Sequence, residues 1–337
     1  MALGVADQFG RLLQDLRISV TDRCSLRCRY CMPREVFGPE HVFLDRGALL
    51  SFEEIARLAR IFVRLGVRKI RLTGGEPLLR RGVADLVAGL AAVEGLEEVT
   101  MTTNGLLLPR LAEPLRRSGL RRVTVSLDSL DDHTFRELAD TVQPVASVLK
   151  GVAAAKAVGL APVKVNTVVQ RGVNDRQIES IAEWARDSGV TVRFIEFMDV
   201  GTTNGWRRER VVPAAEVVER LHARWPIEPV HRPGAGMVAE RYRYLDGAGE
   251  VGVIASVTRP FCHACTRARL SSAGELYTCL FASAGLDLRT PLRDGTTDGE
   301  IEALIAATWF ARTDRSSQLR AEGGLSGPRV EMSYIGG

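Results

Sequence analysis

The sequence predicts an α/β protein: a partial (βα)6 barrel, TIM-like but open along one side, followed by a smaller C-terminal α+β domain. Three observations carry this expectation. Six short apolar runs alternate with helix-like stretches over roughly the first two-thirds of the 337 residues, which implies parallel βαβ units. Several of those runs carry polar or charged residues at alternate positions, so one face of the sheet cannot be a dry core. After about Pro213 the pattern changes to glycine-punctuated strand pairs, which read as antiparallel hairpins. The expected division is residues 1–230 for the barrel and 231–337 for the second unit.

Leu16-Arg17-Ile18-Ser19-Val20 alternates apolar and polar and reads as the first strand. Ser51-Phe52-Glu53-Glu54 is a capping box opening a helix that runs to Gly66. Lys69 to Thr73 is the second strand, followed by Gly74-Gly75-Glu76-Pro77. Glu98 to Thr103 is the third, with a helix from about Pro109 to Gly119. Arg122 to Leu127 is the fourth, followed by helices over about Asp131 to Leu138 and Pro144 to Gly159. Pro162 to Val169 is a strand, Arg176 to Ser188 a helix, Thr191 to Met198 the sixth strand and Pro213 to Arg224 a helix.

Arg232 to Gly236 reads as a linker. Glu240 to Leu245 pairs with Glu250 to Ser256, and Arg267 to Ser271 with Glu275 to Cys279, turning at Gly274. A helix covers about Gly299 to Ala311, and the Gly-rich tail from Gly323 to Gly337 reads as a frayed end.

Right-handed crossovers curl six βα units into a barrel or an open sheet, and full closure needs eight. The polar strand face comprises Arg17 and Ser19; Lys69, Arg71 and Thr73; Thr124, Ser126 and Asp128; Lys164 and Asn166. A wide, ligand-filled lumen accounts for it, and a sheet with one solvated face is the alternative. The net charge of +4, from 45 basic and 41 acidic residues, is too mild to imply nucleic acid, though converging arginines would suit a small anion. No apolar run reaches transmembrane length, and Met1 to Gly10 lacks a secretory pattern. A cytoplasmic protein without membrane or nucleic-acid partners is expected.

All six cysteines fall in two triads, Cys24, Cys28 and Cys31, and Cys262, Cys265 and Cys279. Thiolates are the usual ligands of iron–sulfur clusters. Three ligands on a 4Fe–4S cluster leave one iron open for another molecule. Structural zinc needs four ligands, and His41 is the nearest candidate to the first triad. Buried free cysteines are a further alternative. In the second triad only His263 could complete a zinc site, and it lies between two of the cysteines. Arg267 and Arg269 follow, pointing the same way if this is a strand. Such a pair suits phosphate oxygens, unless it is merely a solvated edge.

The loop Cys24-Ser25-Leu26-Arg27-Cys28-Arg29-Tyr30-Cys31, with Gly74-Gly75-Glu76-Pro77 after the next strand, resembles the radical S-adenosylmethionine (SAM) superfamily. The resemblance implies that SAM fills the open iron and that a 5′-deoxyadenosyl radical follows its cleavage. It places Tyr30, Gly75, Ser126 and Met198 at SAM.

Over essentially the whole chain the sequence resembles the GTP 3′,8-cyclase family of molybdenum cofactor biosynthesis. The motifs include Asp22-Arg23-Cys24, Glu35-Val36-Phe37-Gly38, Thr102-Thr103-Asn104-Gly105, Val163-Lys164-Val165-Asn166, Gly172-Val173-Asn174-Asp175, Arg193 to Met198, Phe261 to Leu270 and Tyr334-Ile335-Gly336-Gly337. Glu137 to Val145 departs from the family's wording. The resemblance implies two 4Fe–4S clusters, each with three Cys ligands, and GTP held by Arg17, Arg71, Thr102, Lys164, Arg267 and Arg269, with Lys69 as a subsidiary contact. It gives Gly336 and Gly337 a catalytic role inside the site. It also implies a reductant such as flavodoxin or ferredoxin, a homodimer, and a cyclic pyranopterin monophosphate synthase that takes the product.

Overall fold

The computed structural model describes residues 4–230, 236, 238–321 and 329–336. Six strand–helix units occupy the first two-thirds: β1 (Asp15–Ser19), α1 (Phe52–Arg64), β2 (Lys69–Thr73), α2 (Val83–Ala91), β3 (Glu98–Thr103), α3 (Leu108–Arg117), β4 (Arg122–Ser126), α4 (Asp132–Ala139), α5 (Val145–Ala157), β5 (Lys164–Val169), α6 (Ile178–Ser188), β6 (Thr191–Glu196) and α7 (Ala214–Arg224). Then follow β7 (Ile227–Pro229), β8 (Glu240–Tyr244), β9 (Glu250–Ile254), β10 (Arg267–Leu270), β11 (Glu275–Tyr277), β12 (Leu286–Asp287), α8 (Arg289–Arg293), α9 (Asp298–Phe310), α10 (Ser316–Ala321) and α11 (Met332–Ile335).

The strands form one sheet in the order β12-β11-β10-β1-β2-β3-β4-β5-β6-β9-β8-β7. The fold is a partial barrel of the α/β class. β10 pairs parallel with β1, and β9 pairs parallel with β6. The C-terminal hairpins therefore extend the barrel sheet at both edges. They bring their own side chains to the open side that six strands leave.

Local chemistry explains the elements. In α1, Ser51 Oγ accepts from the Glu54 amide at 3.1 Å, and the Glu54 carboxylate accepts from the Ser51 amide at 2.6 Å. Its apolar stripe of Ile55, Leu58, Ile61 and Phe62 shares one core with Leu16, Ile18, Ile70 and Leu72. Burying each such side chain contributes about 1.5–3 kcal/mol. The α2 helix is not among the elements read from the sequence, although Val83, Leu86, Val87 and Leu90 have helical spacing and form its buried face. It opens after Gly82 in the left-handed conformation without a capping side chain, and VADLVAGLA is nearly apolar all round.

Glu196, at the end of β6, is buried. It accepts from the amides of Ala214, Val257 and Thr258 at 2.7–2.8 Å. One carboxylate thus caps α7 and holds the turn that leads to the second cysteine triad.

The tail departs from the frayed end read in the sequence. Its last described residues form α11, and Ile335 is fully buried.

A chain ended at residue 230 would strip β10 from β1 and β9 from β6, leaving two open ladder edges. Such a fragment is expected to aggregate or bind 1-anilinonaphthalene-8-sulfonate, while the whole chain melts in one transition. A soluble, cooperatively melting 1–230 fragment would refute the shared-sheet account.

Candidate active site

One cavity of about 980 Å³ fills the barrel, and both cysteine triads open onto it. So do Tyr30, Gly75, Ser126 and Met198, and likewise Arg17, Lys69, Arg71, Thr102, Lys164, Arg267 and Arg269. The polar strand face is a lumen, not a solvated sheet surface.

The first triad sits on the loop after β1, and the Gly-Gly-Glu-Pro turn after β2 is docked against it. A Cβ on Gly75 would strike the Arg23 carbonyl, and one on Gly74, at φ +142°, would strike the Thr21 backbone. The Gly75 and Glu76 amides donate to the Thr21 and Arg23 carbonyls, both at 2.8 Å. These glycines are needed for backbone-to-backbone docking of two turns. Glu76, 1% exposed, accepts from Thr103 Oγ1 and the Asn104 amide at 2.7 Å and from the Leu78 amide at 3.0 Å. Its burial pushes the carboxyl up to about 7 against those hydrogen bonds.

Tyr30 donates its hydroxyl to Asp128 Oδ2 at 2.7 Å, and Asp128 Oδ1 accepts from the Val168 amide at 2.8 Å. The cysteine loop is thereby tied to the ends of β4 and β5. Asp128 has the lumen parity read in the sequence, but its hold on Tyr30 crosses 98 residues and left no local signal. Burial pushes the Cys24 thiol up to about 11 and the Cys31 thiol to about 12, with carboxylates adding to both. Three clustered, unpaired thiols are held protonated by burial and carboxylates, against which Arg27 beside Cys24 is outweighed, and an iron–sulfur cluster is a centre that would make them thiolates. The donor set fits such a cluster. Among the described residues, no three His, Cys, Asp or Glu side chains group as a site for one metal ion.

Sheet register arranges the basic residues. Arg17 pairs with Arg269 on one side and Arg71 on the other, so three guanidinium groups stand abreast. One level away, Asp15 stands between Arg267 and Lys69, an acid between two bases. Arg71 donates to Thr102 and Thr124, at 3.2 and 3.3 Å, and Arg193 donates to Asn166 at 2.9 Å. These acceptors orient the arginines without neutralising them. Burial and then the neighbouring Arg269, Arg267 and Arg71 hold Arg17 well below its usual range. Burial and Arg193, Arg122, Lys69 and Arg71 bring the Lys164 ammonium down to about 7. Arg193 was not among the sequence candidates, although its alternation within Thr191-Val192-Arg193-Phe194 could have found it.

The second triad lies opposite, with Arg267 donating to Cys265 Sγ at 3.4 Å and stacking over Phe261 at 5.1 Å. Burial raises the Cys265 thiol, but Arg267 and Arg312 outweigh it and bring it to about 6. This donor set also fits a thiolate-bound cluster. Arg312 carried no sequence signal.

The tail enters the same lumen. Met332 and Ser333 line it, and Arg269 Nη1 donates to the Gly336 carbonyl. Gly336 is buried at φ +74°, and a Cβ there would collide with the Thr73 side chain. Gly337 lies outside the described residues. Glu331 clasps the loop after β6, accepting from the Thr202 amide at 2.8 Å, Thr202 Oγ1 at 2.7 Å and Thr203 Oγ1 at 3.0 Å. That loop begins beside Met198.

Comparison with known proteins points to one family. A sequence profile described as the radical SAM superfamily matches residues 18–185, and one described as Molybdenum Cofactor Synthesis C matches residues 190–318. The GTP 3′,8-cyclase of Acidothermus cellulolyticus is 53% identical, with 100% of each chain covered. The chain belongs to the GTP 3′,8-cyclase family. The GTP 3′,8-cyclases of Xanthomonas axonopodis pv. citri and Staphylococcus haemolyticus are 48% and 43% identical, again over the full length of both chains. Streptococcus suis SuiB bound to S-adenosylmethionine shares the fold, with a TM-score of 0.63 at 15% identity, covering 91% of this chain and 68% of that one. Membership in the radical SAM superfamily implies a 4Fe–4S cluster and SAM as cofactors.

Glu331→Ala removes three hydrogen bonds from the tail clasp, each worth about 1 kcal/mol. Amide exchange over residues 329–336 is expected to accelerate at least about tenfold by this argument while the barrel helices keep their protection. Unchanged exchange in the tail would show that the clasp does not hold it.

Proposed function

We propose that this cavity converts GTP to (8S)-3′,8-cyclo-7,8-dihydroguanosine 5′-triphosphate, the first step of molybdopterin biosynthesis. One observation carries the proposal: two separate cysteine triads face a single lumen whose cations outnumber its carboxylates. Cys24, Cys28 and Cys31 would hold one 4Fe–4S cluster, with Tyr30, Gly75, Ser126 and Met198 around SAM. Cys262, Cys265 and Cys279 would hold the second cluster. When bound, the first cluster and SAM supply the radical that abstracts hydrogen from the ribose 3′ carbon.

The chain's own residues do the rest. Arg17, Arg71, Lys164, Arg267 and Arg269 bind the triphosphate, with Lys69 nearby. Thr102 orients Arg71 and stands ready as a polar contact to GTP. Cations fixed before the substrate arrives need little rearrangement on binding, so orientation rather than proton transfer selects carbons 3′ and 8 as the joining atoms. The tail narrows the lumen and keeps water from the reacting carbons, with Gly336 and Gly337 assigned to catalysis. The neighbour SuiB has also been seen bound to precursor peptide SuiA. A peptide substrate would leave this chain's row of Arg269, Arg17 and Arg71 without a polyanion.

On the same reading, flavodoxin or ferredoxin supplies electrons and a cyclic pyranopterin monophosphate synthase takes the product. The enzyme works as a homodimer in the cytoplasm. No helix among the described residues is long and apolar enough to cross a membrane.

Iron-loaded protein incubated without oxygen with SAM, dithionite and GTP should yield 5′-deoxyadenosine and a cyclised nucleotide. Absence of both from fully loaded protein would overturn the proposal.

The Lys164 ammonium, at about 7, makes GTP affinity depend on pH. A polyanion favours the charged form, so the bound-state value is higher and binding takes up a proton above pH 7. Below that pH the lysine is already charged and its contribution is constant. From pH 7 to 9 affinity should fall, by at most about tenfold per unit. Lys164→Arg should flatten that fall. Calorimetry in two buffers at pH 8 should show proton uptake in the parent only; equal uptake in both proteins would remove Lys164 from the GTP site.

A further inference from the structure

We infer that Asp7, Arg11 and Arg312 form a buried ion cluster that positions the second iron–sulfur cluster and raises its reduction potential. The inference rests on the reading of Cys262, Cys265 and Cys279 as that cluster's ligands.

The three residues come from opposite ends of the chain and meet behind the second triad. Their side chains are 0%, 3% and 2% exposed, respectively. Asp7 Oδ2 accepts from Arg11 Nε at 2.6 Å and Arg312 Nη1 at 3.2 Å. Asp7 Oδ1 accepts from the Phe9 and Arg11 amides, both at 2.9 Å. Each guanidinium also grips the second cysteine loop. Arg11 Nη1 donates to the Cys262 carbonyl at 2.7 Å, and Arg312 Nη1 donates to the Cys265 carbonyl at 2.9 Å.

The third cysteine is reached through its neighbour. Thr278 Oγ1 donates to Asp314 Oδ2 at 2.6 Å, and Arg312 Nε lies 3.3 Å from the same oxygen. Trp309 closes the layer, with its ring 4.5 Å from the Arg312 guanidinium and its indole nitrogen donating to the Arg11 carbonyl at 3.0 Å.

Stability alone does not account for this cluster. Burying ions costs several kcal/mol of desolvation, and packed apolar side chains could join two chain ends at lower cost. Apolar side chains could not hold two cysteine carbonyls in place. They also could not set charge behind the sulfurs. Two guanidinium groups face one fully buried carboxylate, while Asp314 is partly exposed at 28%. Arg11 Nη2 is a buried donor without a partner. Asp7, Arg11 and Arg312 together carry one net positive charge, which the partly solvated Asp314 carboxylate offsets only in part. Positive charge behind the sulfurs favours the more negative, reduced state of a thiolate-bound cluster.

The test uses the full chain with Cys24→Ala, Cys28→Ala and Cys31→Ala, so that bound iron reports the second triad alone. This protein should bind four irons, and Arg312→Gln and Arg312→Lys are added to it separately. Arg312→Gln should shift the midpoint potential negative and lose iron to a chelator at least about tenfold faster, the usual scale for removing a partner of a metal ligand. Arg312→Lys keeps the charge but cannot reach three acceptors at once. Its potential should stay near the parent value while its iron loss accelerates. Circular dichroism melts check folding, and if Arg312→Gln does not fold, iron loss from Arg312→Lys decides.

Parent-like potential and iron retention in folded Arg312→Gln would overturn this inference alone. Parent-like iron retention in Arg312→Lys would do so where Arg312→Gln does not fold. A triple-cysteine variant that binds no iron at all would overturn the underlying assignment of the second triad as well.

Discussion

Arg269, Arg17 and Arg71 stand side by side on β10, β1 and β2, and their mutual repulsion is the constraint to which the rest of the lumen answers. Neighbouring strands lie about 4.8 Å apart, so in-register guanidinium groups cannot avoid one another. Their orienting contacts are largely neutral: threonine hydroxyls for Arg71 and the Gly336 carbonyl for Arg269. The free protein carries an electrostatic cost that an anionic ligand relieves. In the proposed function, that stored cost would give affinity for the triphosphate of GTP. It also explains why β10 belongs on the barrel's edge, since Arg269 could not join the row from a detached domain.

The end of the lumen that holds the first triad depends on a different kind of fit. Gly74 and Gly75 let the turn after β2 press its backbone onto the cysteine loop after β1. Glu76 then fastens both to the turn after β3. Three successive strand ends become one rigid platform under the cysteines. Tyr30 and Asp128 extend it to β4 and β5. The cysteine loop is thus held from five strands, although it is short and has little regular structure of its own.

Much of this was legible in the sequence because it is periodic or local. Strand parity identified the lumen face from Arg17 to Asn166, and the capping box placed α1. The two cysteine triads and the Gly-Gly turn are contiguous motifs. What escaped was non-local or aperiodic. The α2 segment is short, has no capping side chain and fills the gaps of its Val83, Leu86, Val87 and Leu90 stripe mostly with alanine and glycine, which blurs the signal. The hairpins after residue 230 were recognised as strands, but their parallel pairing to β1 and β6 has no sequence signature. Asp7, Arg11 and Arg312 look like ordinary surface charges until folding joins positions about 300 residues apart. The tail's composition argues for fraying, and non-local contacts keep it in: the Glu331 clasp, the buried Ile335, the Arg269 bond to the Gly336 carbonyl and the Tyr334 bond to Glu275.

The pairing of β1 with β10 has a consequence for how the protein is made. Leu16 meets Ala268 across about 250 residues of chain, so the first strand translated waits for one of the last. Contacts of that span form slowly, because the loop-closure entropy must be met before they contribute. While the ribosome is still adding the C-terminal hairpins, β1 has an open edge and Arg17 stands without Arg269 beside it. The first cysteine loop, held from β1 to β5, can take its shape before then, whereas the basic row of the lumen is complete only on a chain whose two ends have met.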